Sequence, residues 1–436
     1  MRLVDLLIAA RVLLNMPAKR TALPIAAVVL TLAIALLPGV RATGAAFAQG
    51  VANGLDFASY TWTEITANAQ WKPRAGLQVV ELGGRFYLMG GRTPIDPAIS
   101  PVPGASTIWG DVWTSRDHGA TWTRLLADAE AAGYWPRRAY FQAVTRANEM
   151  YVLGGQNFEV ERNPCPPGVP GCPPFVSRSD FFNDVWRSRD GVRWEQMTGN
   201  AGWEGRAGLS AIVFRNEIYV MGGSKNDDSS IIGGPPARVY FNDVWKSRDG
   251  REWELLTAAA PWAPRAGAVV VEKNGWIYLL GGEEGFTCDD PTKPCPPYFN
   301  DVWRSRDGAK WEIVTPAAGW SPRPGHQCAV LLDTIACFGG FGLPPSPFAP
   351  SANPRDLWVS KDGASWQLVS DSPWNASSSD DIKYDFDVLV VQGGAGGNRP
   401  SIYTFGGDRE TFNFFDPTNY LRVDNDVWRF APPAGR

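Results

Sequence analysis

Three features of this sequence predict an all-β chain closed as a six-bladed β-propeller. They are a block of about 54 to 68 residues that recurs along the chain, tryptophans fixed at three positions of that block, and short apolar runs punctuated by turn residues. The chain has 436 residues, of which 44% are hydrophobic and 20% charged, so a substantial core can be buried. It carries 20 Trp, 46 Gly and 36 Pro beside only 2 His. With so few imidazoles, a zinc or copper centre built on several histidines is all but excluded, and neither a metal nor a cofactor is expected.

The third copy shows the block best: Trp203-Glu-Gly-Arg206-Ala-Gly, an apolar stretch, EIYVMGG, an insertion, FNDVW ending at Trp245, KSRDG, then Trp253. Trp71, Trp135, Trp203, Trp262 and Trp320 each precede an arginine by three positions: Arg74, Arg138, Arg206, Arg265 and Arg323. Sixteen residues beyond each arginine begins a Gly-Gly pair, at Gly90, Gly154, Gly222, Gly281 and Gly339. A sixth copy runs from Trp374 through DIKYDFDVLVV and IYTFGG to Trp428; it lacks the arginine and stops before its last tryptophan. That missing piece stands at the other end, where Tyr60-Thr-Trp62-Thr-Glu-Ile precedes the first full copy. The copies are therefore circularly permuted, and the N-terminal strand is expected to join the last blade. Of the 20 Trp, only Trp109 and Trp276 fall outside the three sets of six.

Each copy reads as four antiparallel strands. Lys273-Asn274-Gly275 offers an Asn-Gly hairpin turn, and in Ser-Arg-Asp-Gly the Asp can accept backbone N–H groups while the Gly takes a positive φ. One such sheet cannot bury its own tryptophans. Six packed radially can, and completing the last sheet with the first strand removes a free seam.

At these residues the PRAG, IYVMGG and Trp-to-Trp spacings resemble kelch repeats, over residues 60 to 430. Ser115-Arg-Asp117-His-Gly119-Ala-Thr-Trp122 also resembles the Asp-box hairpin of sialidase-type propellers, and the other copies are one residue shorter. Both resemblances imply a β-propeller. The Asp box is there a structural turn, so it implies nothing about hydrolysis.

Residues 1–48 read as a secretory signal peptide. Thr21 to Leu37 form an uncharged, mostly apolar run preceded by Lys19-Arg20, and Ala46-Phe47-Ala48 suits signal-peptidase cleavage before Gln49. An uncleaved N-terminal membrane anchor is the competing reading, and only that form would engage a membrane. Residues 49–436 then form the propeller, secreted or otherwise extracytoplasmic, in the periplasm or at the cell surface. The leader holds Arg2, Arg11, Lys19, Arg20 and Arg41 against Asp5, so the body is more acidic than the chain total of −4. Nucleic acid is therefore not an expected partner.

All six cysteines lie beyond the leader, in three close pairs, in keeping with export. Local disulfides are expected between Cys165 and Cys172 and between Cys288 and Cys295, stiffening insertions of the second and fourth blades. Cys328 and Cys337 face each other across a hairpin near Leu332-Asp333, as a cross-strand bond or as two buried thiols. The stretches between Gly-Gly and NDVW connect the second and third strands, so they should gather on one side of the ring, where long loops often carry function.

The candidate ligand-binding ring is Arg74, Arg138, Arg206, Arg265 and Arg323, because the matching position of kelch propellers lies near the mouth of the central cavity. Converging guanidinium groups would hold an anionic ligand. Alternatively, each arginine pairs within its own blade and pins the fold. His326 is expected to pack and His118 to be solvated in its turn. Asp380, Asp381, Asp385 and Asp387 around Tyr384 suggest a solvated acidic loop, or paired carboxylates for glycosidic chemistry or calcium. The expected function is a non-catalytic, exported binding module for a glycan, an acidic ligand or a protein partner. The alternative is a carbohydrate-active propeller enzyme, resembling either sialic-acid mutarotases or epimerases, or sialidases. A deep central pocket holding Arg with Glu, Asp or Tyr would favour that alternative, and no catalytic residue is assigned from sequence.

Overall fold

The computed structural model describes residues 57–433 apart from 97, 101, 103, 165–171, 173, 228–235, 286–296, 343–350, 393–399, 412, 414–415 and 417. The expected leader and Cys165, Cys288 and Cys295 lie outside the described residues. So does the interior of several insertions.

Six four-stranded antiparallel sheets follow one another along the chain. The third is representative, with strands Ser210–Phe214, Glu217–Met221, Val244–Ser247 and Glu254–Thr257 paired in chain order. The first hairpins of the first four blades turn on two left-handed residues, Gly83-Gly84, Ala147-Asn148, Arg215-Asn216 and Asn274-Gly275. Between the third and fourth strands of the second blade, Asp190 Oδ1 accepts the backbone N–H groups of Val192 and Arg193. Ser188 Oγ accepts that of Gly191, whose φ is 75°. Aspartate and glycine are needed there for the reasons the sequence suggests.

The sixth sheet is closed by the N-terminal strand. Thr61–Thr66 runs antiparallel to Val423–Ala431, with Trp62 opposite Phe430. The first strands of neighbouring blades touch around the whole ring, including Gln78–Leu82 of the first blade against Asp387–Val391 of the sixth. The propeller is therefore sixfold and closed.

The core lies between sheets. Trp135 and Trp194 of the second blade pack with Val80 and Tyr87 of the first. Five tryptophan pairs repeat one edge-to-face contact: Trp71–Trp122, Trp135–Trp194, Trp203–Trp253, Trp262–Trp311 and Trp320–Trp366. Their centroids are 5.8–6.3 Å apart and their planes cross at 81–89°. Each pair adds about 0.5–1.5 kcal/mol beyond the area it removes from water. In the sixth blade Trp374 meets Trp62 instead, at 5.5 Å.

Between the second and third strands the chain extends into short two-stranded ribbons, such as Arg92–Pro94 with Ser106–Ile108 and Ser224–Lys225 with Val239–Tyr240. These begin directly after the Gly-Gly pairs, so they rise from the same end of the ring as those glycines. Among the described residues no helix is long and apolar enough to cross a membrane.

Candidate functional site

The five repeated arginines are all buried, at 0–2% exposure. Arg206 donates from Nη1 to the Gly222 carbonyl at 3.0 Å and grips both oxygens of Asp243 from Nη1 and Nη2. Its Nε reaches the Glu204 carbonyl. Asp243 also accepts the indole N–H of Trp245, and the Phe241 ring lies 3.7 Å from the guanidinium carbon. Equivalent bidentate pairs join Arg74 to Asp111, Arg138 to Asp184, Arg265 to Asp301 and Arg323 to Asp356. Trp109, outside the repeat pattern in sequence, covers Arg74 as Phe241 covers Arg206. In the sixth blade Lys383 fills the arginine position, buried between Asp424 and Asp426. Each cation is engaged within its own blade. Of the two readings of the arginines, this pairing favours the scaffold.

Two residues beyond each of these cations stands a left-handed residue at the inner end of the blade: Gly76, Tyr140, Gly208, Gly267, Gly325 and Asp385, with φ between 51° and 65°. Their peptide groups are linked around the axis. The N–H of Gly76 donates to the Asp385 carbonyl, Tyr140 to Gly76, Gly208 to Tyr140, Gly267 to Gly208 and Asp385 to Gly325, all at 2.9 Å. Glycine suits such a ring because it adopts this backbone without strain. Tyr140 and Asp385 break the rule. A non-glycine residue held at positive φ costs of order 1–3 kcal/mol, and such positions concentrate where a side chain is used.

A second ring lies beside the first. In five blades the residue before the hub position bridges to the residue after the Gly-Gly pair, as in Ala75 with Arg92, Ala266 with Glu283 and Tyr384 with Asp408; in the fifth, Pro324 has no N–H to give and only accepts that of Phe341. On this constant backbone the side chains differ in every blade: Arg92, Gln156, Ser224, Glu283, Phe341 and Asp408. Arg92 joins the rings. Its Nε donates to the Tyr140 hydroxyl at 2.6 Å and its Nη2 meets Asp408 Oδ2 at 2.8 Å. Glu410 donates its backbone N–H to Asp408 Oδ1. From the third-blade ribbon Asp227, which accepts the Tyr240 hydroxyl, faces Glu283. Tyr298, Phe341 and Tyr384 form an aromatic wall by edge-to-face contacts at 6.4 and 5.4 Å.

Burial dominates the electrostatics here. It pushes Asp385 up to about 7, helped by the charge of Asp408 and opposed by Arg92 and Tyr140. Glu410 is pushed up to about 8 by burial and by Asp408. Glu283 is raised well above the carboxylate range by burial, then by Asp227 and Asp385. Burial also raises the Tyr140 phenol, so it stays protonated and can donate. The arrangement offers hydroxyl donors, carboxyls poised near neutrality and aromatic faces around one axis. That is the inventory of a polar small-ligand site.

The remaining predicted residues are elsewhere. His326 is buried against Trp320, and burial beside Arg323 lowers it to about 3, so it packs as a neutral ring. His118 is exposed in its turn, beside Phe86 and Tyr403. The acidic stretch does not act as one solvated loop. Asp381 binds the backbone of Ser377 and Ser378, and Asp380 meets Arg422 at the surface. Asp387 is buried and accepts the Val79 N–H, while Asp385 enters the hub, because the first strand of the sixth blade begins at Asp387 and leaves Asp385 before it. Cys328 and Cys337 are disulfide-bonded at paired positions of their hairpin. Cys172 is also disulfide-bonded; its expected partner Cys165 lies outside the described residues.

Sequence reasoning passed over Tyr140, Glu283 and Arg92. The signal was present: Arg-Ala-Tyr140 and Lys-Tyr-Asp385 stand where other copies have Arg-Ala-Gly or Arg-Pro-Gly.

No family model matches the chain. The kelch repeat protein M-T8 of Myxoma virus (strain Lausanne) is 22% identical over 267 residues, 61% of this chain and 41% of that protein. The chain thus matches less than half the length of this curated relative. The solved structure titled "Structure of YjhT" superposes with a TM-score of 0.56 at 15% identity, covering 83% of this chain and 96% of that one. The six closed sheets and these likenesses agree: the chain is a six-bladed β-propeller, similar in its repeats to a kelch repeat protein.

Proposed function

We propose that this propeller is an exported module that binds a small glycan at the axial mouth. The observation that carries this reading is the exchange of glycine for Tyr140 and Asp385 at two of six hub positions, against the backbone preference and beside Arg92. A mouth that combines hydroxyl and carboxyl groups with aromatic rings suits a polyhydroxylated ring. Export is supported by the Cys328–Cys337 disulfide, since such bonds persist in oxidising compartments. Glycan-array screening of residues 49–436 tests the reading. The expected result is a small set of related saccharides retained by the native protein and lost by Tyr140→Phe. Identical weak signals for both proteins across the array would reject it.

Asp385 favours a second reading, a mutarotase- or epimerase-like activity. A carboxyl near 7 beside a protonated phenol is suited to exchanging a proton with a sugar hydroxyl. Following the anomeric exchange of array hits by NMR separates the two: acceleration abolished in Asp385→Asn identifies an enzyme, and an unchanged exchange rate identifies a binder.

A further inference from the structure

The seam between the fourth and fifth blades is tied less tightly at its inner end than the others. Five hub links are made at 2.9 Å, but among the described residues the Gly325 N–H and the Gly267 carbonyl have no hydrogen-bond partner. A second tie is missing at the same place. At the other five seams the second glycine of the Gly-Gly pair donates to the carbonyl of the next blade's repeated cation at 2.8–3.0 Å, as Gly223 does to Arg265; Gly282 makes no such bond to Arg323. The cause is local: this copy reads Arg323-Pro324-Gly325, where four others place alanine after the arginine, and Pro324 has no N–H to bridge with. The spacing widens accordingly. A Cβ on Gly76, Gly208 or Gly325 would lie 3.1–3.5 Å from the next hub nitrogen, and one on Gly267 would lie 3.7 Å from that of Gly325.

Gly267 and Gly325 are partly exposed, so both groups are within reach of a ligand. An unpaired donor and acceptor on such a floor call for a guest. A single atom that satisfies both must donate and accept: a carboxylate oxygen only accepts, an ammonium only donates, and a hydroxyl does both. Two neighbours complete the seat. Asp385 Oδ1 lies 2.7 Å from where a Cβ on Gly325 would stand, so this carboxyl overhangs the same peptide. Phe341 donates its N–H to the Pro324 carbonyl at 2.9 Å, beside the seam, and its ring touches those of Tyr298 and Tyr384.

We infer that this seam seats a vicinal diol of the glycan: one hydroxyl accepts the Gly325 N–H and donates to the Gly267 carbonyl, and the adjacent hydroxyl donates to Asp385. Such a seat rests on the glycan reading above and narrows it to saccharides with two adjacent free hydroxyls. The C–H edge of the same sugar meets the Phe341 ring. A methyl ether in place of the first hydroxyl keeps an acceptor and loses the donor, so it leaves the Gly267 carbonyl unpaired.

Amide exchange followed by NMR on the isotope-labelled protein tests the seat. The Gly325 amide is expected to exchange about tenfold faster than the bonded amides of Gly76, Gly208 and Gly267. Glycerol, a minimal vicinal polyol, should shift the Gly325 signal saturably and slow its exchange several-fold. Propane-1,3-diol, whose hydroxyls are not adjacent, should do so only at several-fold higher concentration. Gly267→Ala places a methyl at the seam, where it meets only the Gly325 nitrogen, and should abolish the glycerol response. Gly208→Ala imposes the same backbone strain one blade away and should preserve it; thermal melts would show that both variants fold, and the comparison of the two polyols on the native protein stands without them. A Gly325 amide as protected as its neighbours, equal responses to the two polyols, or a glycerol response that survives in Gly267→Ala overturns the seat. Array hits lost by Tyr140→Phe but kept by Gly267→Ala overturn it and leave the glycan reading standing. A silent array overturns both.

Discussion

Tyr140 and Asp385 flank Gly76 at the hub: the Tyr140 N–H donates to the Gly76 carbonyl, and the Gly76 N–H donates to that of Asp385. Two side-chain-bearing residues in left-handed geometry thus sit on either side of a glycine that has no room for a methyl group. A Cβ on Gly76 would lie 3.0 Å from the Tyr140 ring, and its φ of 62° already disfavours any other residue.

Gly76→Ala is therefore expected to destabilise the protein by about 2 kcal/mol, from backbone strain and from the push on Tyr140. In a Tyr140→Gly background only the backbone part remains, so the cost should fall by on the order of 1 kcal/mol. Denaturant melts of the four proteins give the coupling; strict additivity would show that the ring and the methyl do not meet.

The sixfold plan was legible because it rests on short-range chemistry repeated many times. Asn274-Gly275 turns its hairpin as two left-handed residues must, and Asp190 and Gly191 serve the turn their types allow. The arginine–aspartate pairs were half legible: both residues recur in the copies, but bidentate contact across 33 to 46 residues has no local signal. The site was least legible because it consists of departures from the repeat. Tyr140 and Asp385 read as irregularities in a degenerate motif until the backbone showed them to be equivalent. Lys383 stands in for an arginine only once Asp424 and Asp426 are seen around it.

Removing a scaffold arginine should harm the fold rather than the ligand. Arg206→Ala leaves the Asp243 carboxylate and the Gly222 carbonyl without their donor and is expected to cost about 3–5 kcal/mol. Arg206→Lys keeps the charge but loses the fork and should fall between. Thermal denaturation measures the loss, and sugar affinity of the folded fraction should stay at the native value. A weakened affinity with an unchanged melt would return the arginines to the binding site.

Asp387 gives the protein a pH dependence of predictable sign. Its carboxyl, buried between the first and sixth blades, is pushed up to about 7 by burial although Val79 and Val388 donate to it. In the unfolded chain it titrates near 4. Between about pH 4 and 7 the folded protein keeps a proton that the unfolded chain has lost, so stability falls as pH rises through that window and then levels off. Asp387→Asn should melt higher than the native protein at pH 8, by an amount on the order of a few kcal/mol, and lose most of that advantage at pH 4. An advantage equal at both pH values would place the effect outside this carboxyl.

The double variant Tyr140→Gly/Asp385→Gly restores six hub glycines and tests most directly whether the two exceptions are kept for a ligand. Backbone strain of about 1–3 kcal/mol per site is relieved while side-chain contacts are lost. The predicted result is a melting temperature at or above the native one, with glycan binding abolished. A protein that melts well below the native one and still binds its glycan would show that Tyr140 and Asp385 belong to the fold and that the ligand sits elsewhere.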